Sequence, residues 1–279
     1  MTGRIVLAAT PIGNVGDASV RLRECLEAAD LIAAEDTRRL RDLVSRLGLT
    51  ITAPVMAVHD HNERDRAGDV VAAALAGKSV VLVSDAGMPT ISDPGFRIVE
   101  AAADAGVEVT VIPGPSAVLT ALALSGLPTD RFTFEGFLPR KAGERVSALA
   151  ALQTEPRTMV FFEAPHRLAA TLEAMRDTLG ADRRGAVSRE LTKTYEQTRR
   201  GELADLLQWA KAEEPRGEIV ITVAGRPAEA PSMQDLVAEA LRRVGEGERA
   251  KDAVSDLAAI AGVARRDLYA AVLAARQGS

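Results

Sequence analysis

Short apolar runs rich in β-branched residues alternate along this chain with stretches whose apolar positions recur every three or four residues. The runs at 5–9, 31–34, 80–84 and 107–112, and again at 158–162, 185–188 and 219–224, predict strands. The stretches at 20–29, 64–76, 96–105, 168–179 and 203–212 predict amphipathic helices. Such alternation argues for an α/β fold with mostly parallel sheets, since a strand returning in parallel needs a crossover, usually helical. A Gly-Pro turn opens a further helix at 116–125, and a second strand series begins near Phe132. The pattern therefore predicts one α/β domain over 1–113 and another over 114–226. Past that point the strands stop. A Pro/Ala stretch at 227–231 reads as a linker, and 232–279 is helical pattern throughout. Within it, an Ala-rich helix reaches Gly262, and a second helix follows with Arg265, Arg266, Leu268 and Tyr269, the form of a helix-turn-helix. That form serves either a nucleic-acid contact through its second helix or a hairpin packed on the body or on a partner subunit. The tail holds seven basic and seven acidic residues, which favours neither.

Charge and composition narrow the function. The chain has 279 residues, 34 basic against 39 acidic for a net charge of −5, which disfavours a coat-like nucleic-acid binder. It leaves room for a local basic face, and 29 of the 34 basic residues are Arg, the better phosphate fork. Aromatics make up 3%, too few for a base-stacking sheet. A single cysteine, Cys25, excludes an internal disulfide and fits a reducing, cytoplasmic setting. Three histidines leave little for a metal centre, and His59-x-His61 alone is a weak metal pair, so no metal is expected. The longest apolar runs fall far short of the roughly 20 residues that span a bilayer. The N-terminus reads as a strand feeding a loop, not as a signal peptide.

The chemistry sits in the loops that follow strands. There is no G-x-G-x-x-G and no Walker loop, so a dinucleotide site and a P-loop are unsupported. Thr10-Pro-Ile-Gly-Asn14 is an ordinary strand-to-helix turn that lets a ligand approach the backbone closely. Ser84-Asp-Ala-Gly-Met-Pro-Thr-Ile-Ser-Asp-Pro-Gly95 is richer. It carries two Asp, two Ser, one Thr, two Pro and two Gly, more polar and turn-forming residues than a plain connection needs. Ser116, after Ile112-Pro-Gly-Pro, is a natural N-cap whose neighbouring amides can also meet a ligand. Glu163, His166 and Arg167 close another strand, and Arg189-Glu-Leu-Thr-Lys193 follows a further one. Loops from both halves could thus line one cleft.

Taken together these loops resemble the tetrapyrrole methylase superfamily of S-adenosylmethionine methyltransferases. Within it they are similar to the branch that methylates ribose 2′-hydroxyls of small-subunit ribosomal RNA. The matching strings are ATPIGNVGD (9–17), AAEDTRR (33–39), SDAGMPTISDPGFR (84–97), PGPSAVLTALALSGLPTDRFTFEGFLPRK (113–141), EAPHR (163–167), SRELTK (188–193) and GEIVITV (217–223), in that order. Members acting on corrins share only the general loop pattern. The resemblance implies two α/β domains of the tetrapyrrole methylase type with a small C-terminal helical extension. It further implies S-adenosylmethionine folded into the cleft between the domains, and a homodimer.

By position, the implied cofactor contacts are Pro11, Asp85, Ala86, Gly87, Thr90, Ser116, Ala117 and Glu163. Met88 departs from the small or hydroxyl residue expected there. The implied acceptor is a cytidine ribose of 16S rRNA near the decoding centre, in the assembled small ribosomal subunit. Arg38, Arg140, Lys141, His166 and Arg167 are expected to hold that RNA, with Arg39, Arg41 and Arg145 nearby. A 2′-hydroxyl is a weak acid, and its proton acceptor is sought among His59, His61 and Glu63, with Glu35 and Glu163 as further candidates. Two other readings remain beside this one: a methylase of a small porphyrinoid ring, and a non-catalytic S-adenosylmethionine binder.

Overall fold

In the computed structural model, which describes residues 3–59, 61–226 and 232–277, the apolar runs form two five-stranded sheets within one compact unit, Met1–Arg226. The first sheet contains β1 (Arg4–Ala8), β2 (Leu31–Ala34), β3 (Val55–Ala57), β4 (Ser79–Val83) and β5 (Glu108–Ile112), ordered β3-β2-β4-β1-β5 with every pairing parallel. Its faces are covered by α1 (Val20–Glu27), α2 (Thr37–Leu47), α3 (Glu63–Leu75) and α4 (Phe96–Asp104). One face buries Ile5, Val80 and Leu82 with Val70 and Ile98; the other buries Val6, Val81 and Val83 with Leu22, Leu26 and Leu40. A strand buried on both faces reads as a continuous apolar run, as Leu31–Ala34 does.

The second sheet contains β6 (Phe132–Phe137), β7 (Thr158–Glu163), β8 (Arg184–Arg189), β9 (Gln197–Glu202) and β10 (Ile219–Val223), ordered β6-β7-β10-β8-β9. It is packed by α5 (Ala117–Ser125), α6 (Ala142–Ala151), α7 (Leu168–Leu179) and α8 (Leu203–Glu213). Alternation predicts mostly parallel strands, and here the structure differs. Only β6 and β7 pair in parallel; β10 lies antiparallel between β7 and β8, and β9 pairs antiparallel with β8. The buried run IVITV of β10 shows that the strand is central but not which way it runs. β9 (QTRRGE) has no apolar residue at all, so no hydrophobic period betrays it.

Two helices also lack a signal in the strand-and-helix reading. In α2, Leu40, Val44 and Leu47 form a narrow buried stripe, Asp36 caps the start and Gly48 (φ +67°) ends it. In α6 the buried pair is Leu149 and an arginine, Arg145.

The second compact unit, Pro227–Ser279, contains three helices among its described residues. The stretch expected as a linker, 227–231, lies outside the described residues. α9 (Met233–Gly245) starts in a capping box between Ser232 and Asp235; α10 (Ala250–Ala261) ends at Gly262 (φ +67°); α11 (Arg265–Gln277) follows. The three share a core of Leu236, Ala240, Val254, Leu257, Leu268 and Val272. Among the described residues, no helix is long and apolar enough to cross a membrane.

Candidate active site

The loops at the C-terminal ends of β1, β2 and β4 hold one another by backbone and carboxylate hydrogen bonds. The Thr10 N–H donates to the Gly87 carbonyl (2.9 Å), the Gly87 N–H returns to Thr10 (3.1 Å), and the Thr10 hydroxyl reaches the Ser84 carbonyl (3.3 Å). This bridge sets Gly87 at φ +88°, with Ile12 close against its bare face, so an added side chain would be strained. Further along, Thr90 (φ 78°) and Ser92 (φ 61°) are also left-handed, a conformation that costs of order 1–3 kcal/mol for a residue with a Cβ.

Surrounding structure holds that strain in place. The Oε1 of Glu63, a buried carboxylate at the start of α3, accepts the N–H groups of both Gly95 and Arg97 (2.8 Å each). Glu63 therefore caps α4 and anchors the end of the 84–95 loop. This corrects its reading as a proton acceptor, because that carboxylate is buried and occupied by backbone donors. Glu63→Ala should lower stability by about 1.5–3 kcal/mol, the worth of hydrogen bonds to a charged group. Hydrogen exchange at Gly95 and Arg97 should accelerate with it; an unchanged urea midpoint would refute the capping role.

Asp85 links two loops. Its Oδ1 accepts the Asp36 N–H (3.1 Å), its own N–H donates to Glu35 Oε2 (3.1 Å), and Arg39 Nε lies 3.3 Å from Oδ2. Burial raises the Asp85 carboxyl above the usual range, against the opposing pull of Arg39 and the Asp36 N–H. At the surface, hydrogen bonds from the Arg38 guanidinium and from its backbone N–H hold Asp36 down at about 2.

On the second sheet Glu163, at the end of β7, is 3% exposed. Its Oε2 accepts the Thr171 hydroxyl (2.5 Å), and its Oε1 accepts the Ala164 N–H (2.7 Å) and lies 3.2 Å from Arg167 Nε. Arg167 Nη2 in turn donates to the carbonyls of Leu138 (2.7 Å) and Pro139 (3.2 Å). The halves are tied across the cleft by the Asn14 N–H, which donates to Thr192 Oγ1 (3.0 Å), and by an apolar cluster of Ile12, Val118, Val160 and Val220.

Between these parts lies a cavity of about 420 Å³, within the range of small-ligand sites. Glu35, Asp85, Asp93, Glu163 and Glu218 line it, with Asp85 paired to Arg39, Glu163 to Arg167 and Glu218 to Lys193 (2.7 Å), and Ile12, Ala86, Phe162 and Val220 give it an apolar side. Carboxylates beside an apolar side suit a ligand that carries a sulfonium and an ammonium on a nucleoside with hydroxyls and a flat base. S-adenosylmethionine is a ligand of this kind, and the residues present fit it.

Of the cofactor contacts implied by sequence, Asp85, Ala86, Ala117 and Glu163 line this cavity. Gly87, Met88 and Ser116 line a pocket of about 60 Å³ that shares Ala86, Asp93, Ala117 and Phe162 with it. Ser116 is also the N-cap of α5, through the Leu119 N–H (3.4 Å). Pro11 is buried and lines neither cavity, and Thr90 packs toward Gly95, where an added Cβ would meet its methyl at 3.0 Å. His59 and His61 are exposed, their rings 6.2 Å apart, and do not line the cavity.

The residues expected to hold RNA divide as well. Arg140, His166 and Arg167 line a second, adjoining cavity, although Arg167 is committed to Glu163 and two carbonyls. Arg38 and Lys141 are exposed and paired with Asp36 (3.0 Å) and Glu144 (2.9 Å). Arg39 pairs with Asp85. Sequence reasoning did not single out Phe137, Phe162 or residues 217–220 as cavity wall, although Phe137 lies in the matching string 113–141, Phe162 ends the strand at 158–162, and 217–220 open the GEIVITV string. Among the described residues, no group of three or more His, Cys, Asp or Glu is placed to share a metal ion.

Comparison with known proteins adds to this geometry. A family model for Tetrapyrrole (Corrin/Porphyrin) Methylases matches residues 4–207. A Mycobacterium tuberculosis (strain ATCC 25618 / H37Rv) protein named Ribosomal RNA small subunit methyltransferase I is 49% identical, over 99% of this chain and 96% of its own length. A protein of the same name from Escherichia coli O157:H7 is 44% identical over 96% of this chain and 93% of its own. Among solved structures, the methyltransferase CobJ aligns with a TM-score of 0.61 at 22% identity, over 80% of this chain and 94% of that one. Uroporphyrin-III C-methyltransferase from Thermus thermophilus, solved with S-adenyl homocysteine, aligns with a TM-score of 0.55 at 19% identity, over 79% and 97%. At such identities the structural matches speak to fold alone.

Proposed function

Since the chain belongs to the tetrapyrrole methylase family, among its ribosomal RNA small subunit methyltransferases, we propose that it methylates the 2′-hydroxyl of a cytidine ribose in 16S rRNA. The acceptor lies near the decoding centre of the assembled small subunit, which places the protein in the cytoplasm. The observation that carries the reading is the acidic cavity at the strand ends, opening beside a basic one.

When bound, S-adenosylmethionine supplies an electrophilic methyl on a sulfonium. Asp85, Glu35 and Glu163 would face the donor's positive charge in the cavity, Asp85 fixed by the Asp36 N–H and Glu163 by Thr171 and Arg167. Ala86 and Ala117 leave room on the wall, and Phe162 and Ile12 keep one side dry. Methyl transfer neutralises a cation, so no oxyanion hole is needed, and alignment of the hydroxyl oxygen with the methyl supplies most of the rate. Among the proton-acceptor candidates Glu35 and Glu163 line the cavity, Glu35 accepting the Asp85 N–H and Glu163 the Thr171 hydroxyl and the Ala164 N–H.

A homodimer belongs to the same reading. It is supported by edge strand β5 and helix α5, which leave Val111 and Leu119 40% and 55% exposed.

Labelled S-adenosylmethionine offered with small subunits, naked 16S rRNA or a porphyrinoid tests the proposal. Label should enter the subunit as 2′-O-methylcytidine, with a rate at low subunit concentration that falls steeply as salt rises. Label in the porphyrinoid, or in none of the three, would end the reading.

A further inference from the structure

The cavity adjoining the acidic one measures about 970 Å³ and shares Phe137 and Ala164 with it. Its charged lining is of one sign: Arg140, Arg145 and Arg167, with His166 beside them and no carboxylate. The three arginines are not equivalent. Arg140 is exposed, and Arg167 is held by Glu163 and two carbonyls. Arg145 lies on the inward face of α6, one turn before the fully buried Leu149, and is only 9% exposed. Its Nη1 makes one long hydrogen bond, 3.4 Å to the Arg140 carbonyl, and its Nε is buried with no partner. The nearby carboxylates are engaged elsewhere, Glu144 with Lys141 and Glu163 with Arg167.

A guanidinium buried in that state is unfavourable, and a leucine or methionine would pack the same position better. A second feature points the same way. Lys141 holds the N-cap position before α6 and its side chain does not cap it, so the first amides of this ten-residue helix lack that acceptor. Helical side chains lean toward the N-terminus, so Arg145 and the open amides serve the same end of α6. An anion is what both lack. Between the two cavities stands Phe137, 57% exposed, its ring 5.5 Å from Phe162.

We propose that this basic cavity is the acceptor-strand subsite, where Arg145 and the open end of α6 grip an RNA phosphodiester beside the methylated nucleotide and Phe137 stacks its base. The inference rests on the ribosomal-RNA reading above. Opposite charges then sort the two substrates: the cationic donor into the acidic cavity, the anionic strand into the basic one. A lone exposed aromatic suffices here, since a single unstacked base needs one face.

Subunit binding is measured across a range of KCl for the wild type, Arg145→Met, Arg145→Lys and Phe137→Leu, alongside S-adenosylmethionine affinity and thermal unfolding. Arg145→Met should bind subunits about 10-fold more weakly and with a log–log salt slope shallower by about one unit. Its donor affinity should be unchanged and its melting temperature equal or higher. Arg145→Lys should recover the slope but only part of the affinity, since an ammonium lacks the fork. Phe137→Leu should weaken binding at an unchanged slope.

An unaltered slope and affinity in Arg145→Met would overturn the proposal. So would a lowered melting temperature accompanied by lost donor affinity, which would make Arg145 a structural residue. Inorganic phosphate that stabilises the wild type but not Arg145→Met, with equal salt slopes for subunits, would assign the site to free phosphate and also overturn it. A wild type that fails to methylate subunits defeats the parent reading instead, and the two failures are distinguishable.

Discussion

Glu163→Ala should cost about 3–5 kcal/mol of unfolding free energy, the usual consequence of removing one partner from a buried ion pair. The carboxylate is 3% exposed, accepts the Thr171 hydroxyl and the Ala164 N–H, and forms an ion pair with the Arg167 guanidinium. Without it, Arg167 keeps its positive charge in a half-buried site with only the carbonyls of Leu138 and Pro139 for company. The damage should spread from β7 into the turn that follows β6, so donor affinity should fall as well. Glu163→Gln keeps an acceptor for Thr171 but replaces the oxygen that meets the Ala164 N–H and Arg167 with a donor NH2, so it should lose less than the alanine variant while still weakening the clamp. Urea unfolding of both variants, with calorimetric titration of S-adenosylmethionine, measures the two effects. A loss under about 1 kcal/mol for the alanine variant would mean that the pair is not the clamp described here.

Asp85→Asn should separate function from stability. The amide oxygen can still accept the Asp36 N–H, and the side-chain volume is kept. What disappears is a negative charge facing the donor. A charge-assisted contact is worth about 1.5–3 kcal/mol, so donor affinity should fall roughly 10- to 100-fold.

Stability should move the other way at neutral pH. Burial raises the Asp85 carboxyl above its ordinary value of 3.8, so the folded protein binds that proton more tightly than the unfolded chain does. As pH rises from the ordinary value through the raised one, the wild type therefore loses stability relative to the asparagine variant, and at pH 7 the variant should be equal or better. Urea midpoints of both proteins from pH 4 to pH 7 test the sign. A wild type that gains on the variant over that interval would show that Arg39 and the Asp36 N–H outweigh desolvation.

Both effects depend on contacts between residues far apart in the chain. The Asp36–Asp85 bond spans 49 positions, Arg167–Leu138 spans 29, and Asn14–Thr192 spans 178. A hydrophobic period reports which face of an element is buried. It carries nothing about which distant side chain the element will meet. This is why Glu63, drawn from a polar cluster beside two histidines, reads as a chemical group in sequence and caps α4 in the fold. For the same reason Arg167 reads as a phosphate contact and is held by Glu163, while Arg145, an unremarkable position in a weakly patterned helix, is buried with its Nε unpartnered.

Local chemistry was legible in advance. The α/β alternation, the Ser116 cap, the turn at Gly262 and the Gly87 turn in the 84–95 loop follow from residue types and their spacing, because caps and left-handed turns are decided within a few positions. The family strings place Asp85, Ala86, Ala117 and Glu163 among the implied cofactor contacts, and all four line one cavity. The tertiary structure alone decided the direction of β10, the place of the polar strand β9, and the sorting of charge into one acidic and one basic cavity. Strand direction and charge placement are properties of pairs of elements, and a single-chain period, being a property of one element, cannot encode them.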